Sequence, residues 1–523
     1  MSADTQNPTS GQIAARIALE LKDVSKSFGL VRANRDINLK IEKGTIHGII
    51  GENGAGKSTL MNILYGLHRA DAGQMYVNES EASIRSSADA ISLGIGMVHQ
   101  HFMLVNVFSV LENVMLGSEG GSLLKDGKKA TLKTLQHLAD NYGMTVDPHA
   151  LISDLNVGMR QRVEIIKALK GGADILILDE PTGVLTPQET KQLFEILNVL
   201  RADGVTILLI THKLAEIMEI TDNVSIMRAG QMVGHRQTAK TNPQELAEMM
   251  VGRKVLLSVD KGAAKPGEVL LKVNNLEIFH ERGHKELDDV SFEVRGGEIF
   301  GIAGVSGNGQ TPLMEILAGM RVPSAGSFEV LGATVSRGAP KSPKEMRNMG
   351  VGHIPEDRHV HGLILDFEAR ENMILGFQDA DVAGAGFLFD SGSVTQHCQE
   401  QMDHYDVRPA NPFLPAHSFS GGNQQKIVIA REMYESPRVL IVGQPTRGVD
   451  VGAIEFIHKQ LIALRDAGCA IVLVSVELEE VMGLADRIMV MNDGQKVGTV
   501  DAKDADTNTL GLMMAGLKSG DAA

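Results

Sequence analysis

The sequence predicts an α/β protein built from two copies of one unit, each with a mainly parallel sheet core. Three observations carry that prediction. Short β-branched runs alternate with longer amphipathic segments, as a parallel sheet flanked by helices requires. The glycine-rich stretch Gly51-Glu52-Asn53-Gly54-Ala55-Gly56-Lys57-Ser58-Thr59 recurs in degraded form as Gly304-Val305-Ser306-Gly307-Asn308-Gly309-Gln310-Thr311-Pro312. At 523 residues the chain is also too long for a single core.

Residues 1–14 are polar, lack a basic and an apolar segment of signal-peptide type, and read as a disordered tail. Thr45–Ile50 is an apolar run that reads as a strand, and Leu60–Tyr65 reads as the start of a helix. Between them the loop fits G-x-x-x-x-G-K-[ST] at every required position. Glycines there let backbone N–H groups curl around a phosphate, with a helix N-terminus behind them. Lys57 then reaches the outer phosphates, and the Ser58 hydroxyl can ligate Mg²⁺. Further on, Val163, Ile166 and Ala168-Leu169 mark one face of a helix that carries Arg160, Arg162 and Lys167 elsewhere. Ile175–Leu178 reads as a buried strand ending at Asp179. Ligands in such folds sit beyond the carboxyl ends of strands, which places Asp179 and Glu180 beside the phosphate loop.

The repeat runs well past the loop. Asp36-Ile37-Asn38-Leu39 corresponds to Asp289-Val290-Ser291-Phe292, Leu111-Glu112-Asn113 to Arg370-Glu371-Asn372, and Asp179-Glu180-Pro181-Thr182 to Gly443-Gln444-Pro445-Thr446. Met249-Met250-Val251-Gly252 and Met513-Met514-Ala515-Gly516 close the halves alike. The expected organisation is a first unit at 15–253, a linker at 254–267 rich in Lys, Gly and Ala, a second unit at 268–517 and a tail at 518–523.

Composition narrows the function classes. With 65 acidic against 50 basic residues, the net charge of -15 argues against a nucleic-acid binder. Cys398 and Cys469 form neither a disulfide framework nor a metal set and read as small buried hydrophobes. His99, His101, His353, His359 and His361 lack metal-ligand spacing and read as loop histidines. Glu477, Glu479 and Glu480 read as a solvated helix start. No apolar run reaches the roughly 18–20 residues that span a bilayer, so any action at a membrane is expected to go through partners.

Together these motifs resemble the ATP-binding-cassette ATPases over nearly the whole chain, most closely the tandem-cassette subunits of bacterial importers for nucleosides and ribose-type sugars. Ser420-Gly421-Gly422-Asn423-Gln424-Gln425 looks like the family signature loop and Thr211-His212-Lys213-Leu214 like its switch-histidine segment. Gln100 sits at the family's Q-loop glutamine, and Phe28 where an aromatic ring stacks on adenine. The resemblance implies two tandem cassettes, each with an antiparallel β subdomain and a helical subdomain beside the sheet core, using ATP and Mg²⁺.

It also implies that the cassettes pair within one chain, each nucleotide lying between one phosphate loop and the other half's signature. Site one then joins Gly51 to Thr59, Phe28, Gln100, Asp179, Glu180 and His212 to Ser420, Gly421, Gly422, Asn423 and Asp450. Ser58, Gln100 and Asp179 are its expected metal groups, and Lys57, Gln100, Glu180 and His212 its catalytic ones. Site two joins Gln310, Glu356, Gly443, Gln444 and Val476 to Leu155-Asn156-Val157-Gly158-Met159 and Thr186, and departs from the family pattern nearly throughout. Losses confined to one site argue for one hydrolysing and one degenerate site.

The implied role is a peripheral ATPase at the cytoplasmic face of the cell membrane. Two integral-membrane permease subunits and an extracellular or periplasmic solute-binding protein are its implied partners. Gly96–Val105 and Asn156–Met159 look like the nucleoside branch more than the ribose or galactose branch. The alternatives are the same role for ribose- or galactose-type sugars, a soluble tandem cassette acting on ribosomes or DNA, and a regulatory ATP binder without turnover. The short linker, the acidic charge and the presence of Glu180 and His212 weigh against the last two.

Overall fold

A computed structural model of the chain describes residues 16–29, 31–99, 102–117, 125–183, 185, 187–254, 261–280, 283–305, 307–378, 390–449, 451–514 and 516. Its contacts divide into one unit ending at Arg253 and another beginning at Lys254. Residues 1–14 and 518–523 lie outside the described residues, as do Gln100, His101, Thr186 and Asp450.

The first unit contains β1 (Ile17–Phe28), β2 (Val31–Glu42), β3 (Ile46–Gly51), β4 (Ala72–Val77), β5 (Ser80–Ala82), β6 (Ile95–Val98), β7 (Ile175–Asp179), β8 (Thr206–Ile210), β9 (Asn223–Arg228) and β10 (Gln231–Gln237). Two sheets result. One is antiparallel, in the order β2-β1-β4-β5. The other runs β10-β9-β3-β8-β7-β6 and is parallel except for the β9–β10 hairpin. Helices Val110–Met115, Lys125–Tyr142 and Val157–Lys170 follow β6 in the chain and pack on one another. Ser109 caps the first of them with a reciprocal Glu112 bond, and Asn156 caps the last.

β7 shows why its sequence reads as an unbroken apolar run. Ile175 and Ile177 pack with Leu19, Leu21 and Leu60 on one side. Leu176 and Leu178 pack with Val163, Ile166 and Leu197 on the other. Both faces are covered, so there is no polar side to alternate with. Because β3, β6, β7 and β8 are parallel, Gly51, Val98, Asp179 and Ile210 end at one edge of the sheet.

The second unit repeats the plan with β11 (Val269–Phe279), β12 (Lys285–Arg295), β13 (Glu298–Ala303), β14 (Ala325–Val330), β15 (Ala333–Ser336), β16 (Val351–Ile354), β17 (Val439–Gly443), β18 (Ala470–Ser475), β19 (Arg487–Asn492) and β20 (Gln495–Asp501). Its sheets run β12-β11-β14-β15 and β16-β17-β18-β13-β19-β20. Residues 261–267 of the segment expected as a linker are fastened to this unit. Fully buried Arg465 donates to the Gly262 carbonyl at 3.0 Å and to Asp486 at 3.2 Å, and Lys261 lies 3.7 Å from Asp486.

Three sequence expectations need correction. His353 is a strand residue of β16, paired in register with Ile441, because apolar Val351 and Ile354 carry that segment into the sheet. His359 and His361 lie on the helical turn Arg358–Gly362, which Asp357 starts by accepting from the His359 and Val360 N–H groups. Glu480 is not solvated: the helix Leu478–Leu484 turns it inward onto His458, at 3.0 Å. Both cysteines are buried as read, and burial pushes their thiols up to about 12.

His47 in β3 is 4% exposed and shares a hydrogen-bonded chain with Ser225 and His235, each link 2.7 Å. Burial, helped by nearby His235, pushes His47 down to about 4; burial and Arg236 lower His235 as well. His353 is likewise pushed down to about 4 by burial, with the Glu432 charge opposing. Unfolding frees each ring to take a proton near its ordinary value of 6.5, well above where the folded protein does. Stability is therefore fully present above that pH and falls as pH drops toward 4. Thermal unfolding should lose about 2 kcal/mol per buried histidine between pH 7 and 5. His47→Gln should flatten that dependence, and a midpoint independent of pH across this range would reject the assignment.

Candidate functional site: the strand-end edge of each unit

In the first unit the chain leaves β3 at Gly51 and enters the helix Lys57–Leu64 through the glycine-rich loop. Gly56 has φ 96°, and a Cβ there would stand 2.2 Å from the Ala33 carbonyl oxygen. Only glycine fits this turn. Lys57 is 6% exposed, its ammonium donating to the carbonyls of Gly51 at 2.7 Å and Glu52 at 3.1 Å. Burial lowers its pKa, while Glu180, Asp179 and Glu52 oppose that shift. Ser58 is exposed beside it, on the same first helical turn.

Two carboxylates face this loop. Asp179, at the end of β7, is 8% exposed, and burial together with the Glu180 charge pushes it up to about 6, against the pull of Lys57. Glu180 follows with φ 47°, and its N–H donates to the Ile210 carbonyl at 2.8 Å. Burial works to raise Glu180, but the hydrogen bond and charge of His212, with Lys57 and Lys213, hold it below its ordinary value. His212 Nδ1 lies 3.0 Å from Glu180 Oε1. An ionised carboxylate held by an imidazole beside a phosphate-type loop is a group able to orient and deprotonate a water.

The site residues fit ATP and Mg²⁺ on their chemistry. The buried ammonium rests on loop carbonyls, and one hydroxyl and one crowded carboxylate supply oxygen donors. Mg²⁺ characteristically takes one or two protein oxygens and leaves its other positions to water and phosphate. Among the described residues no group of three His, Cys, Asp or Glu could hold a metal unaided.

Phe28 ends β1, 45% exposed, with Lys26 Nζ 5.4 Å from its ring centre. Phe279 ends β11 in the second unit, also 45% exposed, with Lys285 Nζ 5.7 Å from its ring. The motif-by-motif reading missed Phe279; extending the repeat to the last residue of each unit's first strand finds it.

The second unit keeps the loop and fills it differently. Gln310 is 5% exposed, and a Cβ on Gly304 would meet its amide nitrogen at 2.2 Å. The amide thus lies against the loop's first glycine, as Lys57 does against Gly51. Thr311 donates to Glu356 at 2.7 Å. At Gly443, where the first unit has Asp179, a Cβ would stand 2.8 Å from the Met314 methyl and 2.9 Å from the Glu356 nitrogen. Gln444 keeps the backbone of Glu180, with φ 46° and an N–H bond to Val474, but its side chain accepts from the Val476 N–H at 3.3 Å.

Ser420 caps the helix Gly421–Met433 and accepts from the Asn423 side chain at 2.9 Å. Gly421 is tightly held: a Cβ there would stand 2.7 Å from Arg358 and 2.8 Å from the Gly448 carbonyl. The corresponding helix of the first unit is capped by Asn156. Within its own unit, then, the structure brings Lys57, Ser58, Asp179, Glu180 and His212 to one edge, and Ser420 to Asn423 to a helix start.

Comparison with known proteins agrees with this geometry. The ABC transporter family model matches residues 34–183 and 287–447. The nucleoside import ATP-binding protein NupA of Lactococcus lactis subsp. cremoris is 44% identical over 96% of this chain and 99% of its own length. The guanosine import ATP-binding protein NupO of Bacillus subtilis is 44% identical over 95% and 97%. The glucose import ATP-binding protein TsgD13 of Haloferax volcanii is 41% identical over 95% and 96%. No helix among the described residues is long and apolar enough to cross a membrane. With the family pattern present in both units and full-length relatives aligned from end to end, the chain belongs to the ABC transporter family, as an ATP-hydrolysing tandem-cassette subunit.

Proposed function

We propose that the chain energises nucleoside import, hydrolysing ATP at one competent site built on its first unit. The observation that carries this reading is the cluster of buried Lys57 and Asp179 with the half-buried Glu180–His212 pair at one sheet edge. Its counterparts Gln310, Gly443, Gln444 and Val476 carry no charge.

In this reading Phe28 stacks on adenine, and the loop N–H groups with Lys57 hold the outer phosphates and stabilise charge that builds during transfer. Mg²⁺, held by Ser58 and Asp179 with Gln100, supplies neutralisation of phosphate charge when bound. Glu180 orients the attacking water and takes its proton. His212 keeps the Glu180 carboxylate ionised and contacts the γ-phosphoryl end. Family resemblance supplies the remaining element: Ser420, Gly421, Gly422, Asn423 and Asp450 complete this site when ATP is bound. The second unit holds a nucleotide without hydrolysing it, since it has the loop and Phe279 but no lysine where Lys57 stands and no carboxylate where Asp179 and Glu180 stand.

The partners are two integral-membrane permease subunits and a solute-binding protein outside the membrane, with this subunit at the cytoplasmic face. The roles named for the Lactococcus and Bacillus relatives, nucleoside and guanosine import, support nucleosides. Sugar import is the second reading, supported by the Haloferax relative. Uptake of labelled nucleosides and of ribose, in cells carrying or lacking this chain, separates them. Loss of nucleoside uptake alone is the expected outcome; loss of ribose uptake alone would move the chain to sugars.

A further inference from the structure

We propose that Glu216 is a positioning residue for hydrolysis, a buried brace that sets the Glu180–His212 geometry; this rests on the roles given to that pair above. Glu216 lies on the helix Leu214–Ile220, just after His212 and Lys213, and is 7% exposed. Its Oε1 accepts from the Thr182 hydroxyl, two residues past Glu180. Its Oε2 accepts from the Thr211 hydroxyl at 3.1 Å, one residue before His212. The Thr211 oxygen in turn accepts from the Lys213 N–H at 3.0 Å. One carboxylate therefore ties the loop leaving β7 to the loop leaving β8, on either side of the Glu180–His212 bond.

The burial of the partners gives the brace its stiffness. Thr182 is 2% exposed and Thr211 1%. Neither hydroxyl can turn to water if the carboxylate moves, and an unmet buried donor is costly. Small displacements of the two loops are thus resisted, and the distance between their functional side chains is held.

The second unit supplies an internal control. By the repeat, Glu480 stands where Glu216 does, with Thr446 and Ser475 where Thr182 and Thr211 are. Glu480 is equally buried, at 7% exposed, yet it accepts from His458 at 3.0 Å, and its Oε2 has no hydrogen-bond partner among the described residues. The loops it would tie carry Gln444 and Val476. A carboxylate kept only to fill this corner would be bonded alike in both units. The two-loop brace accompanies the acid–histidine pair and is missing where that pair is missing.

Steady-state ATPase assays on the full chain test this with Glu216→Gln and Thr182→Val, and with Glu480→Gln and Glu180→Gln alongside. Glu216→Gln keeps the shape but replaces one acceptor oxygen by a donor. We expect kcat to fall about 10- to 100-fold, as for a small misplacement of catalytic groups, with KM for MgATP within about threefold of wild type. Thr182→Val should do the same, and the double variant should be no worse than the poorer single one. Glu216→Asp should recover part of kcat, and Glu480→Gln should leave it unchanged. A folded Glu216→Gln with wild-type kcat overturns the proposal, as does an equal loss in Glu480→Gln. If Glu216→Gln does not fold, Thr182→Val, which removes a single hydroxyl, decides alone. Glu180→Gln with normal turnover would instead remove the reading on which the brace rests.

Discussion

Glu180→Gln should lower the ATPase rate by about 10²- to 10⁴-fold, the range for loss of a general base, while ATP still binds. The substitution keeps the side-chain shape and a polar atom for His212, 3.0 Å away. It removes the ionised form that His212, Lys57 and Lys213 sustain against burial. Because Lys57 and the loop are untouched, nucleotide affinity should hold, and bound ATP should persist where wild type turns it over. Single-turnover hydrolysis and equilibrium binding measured together separate the two effects. Normal turnover would place the base elsewhere.

Lys57→Ala should act earlier, on phosphate binding. The side chain is buried against the loop carbonyls, at 2.7 and 3.1 Å, so an alanine leaves a void and removes the one ammonium inside the loop. A charge-assisted hydrogen bond contributes about 1.5–3 kcal/mol, which converts to about 10- to 100-fold in ATP affinity. Hydrolysis and uptake should fall below detection. Gln310→Ala, at the matching position of the second unit, removes no charge and should leave ATPase within about twofold of wild type. Equal losses in the two variants would refute the division into one hydrolysing and one degenerate site.

Much of this arrangement was legible before any coordinates. The apolar run ending at Asp179 and the run before Gly51 have strand length and no polar face, so their place in a parallel sheet followed from pattern alone. Lys57, Ser58, Asp179 and Glu180 announced themselves because phosphate chemistry needs those residue types beside strand ends, whereas His212 came from the family resemblance alone. What stayed hidden depends on distance across the fold. Glu216 looks like any helix carboxylate until Thr182 and Thr211 are seen to converge on it. Glu480 sits in an acidic run that reads as solvated, and only the fold turns it toward His458. His353 was placed in a loop because its polar ring masks the apolar neighbours that make β16 a strand. Phe279 was hidden because an isolated aromatic carries no motif.

The packing around Gly443 bears on any attempt to rebuild a second hydrolysing site. Restoring aspartate there would require a side chain to enter space held by the Met314 methyl and sulfur, each 2.8 Å from the added Cβ, and by the Glu356 nitrogen. The Met314 side chain can turn aside, as Met61 at the matching place in the first unit coexists with Asp179, but the Glu356 backbone nitrogen at 2.9 Å cannot. Gly443→Asp alone should therefore cost the second unit stability before it supplies a metal-binding carboxylate.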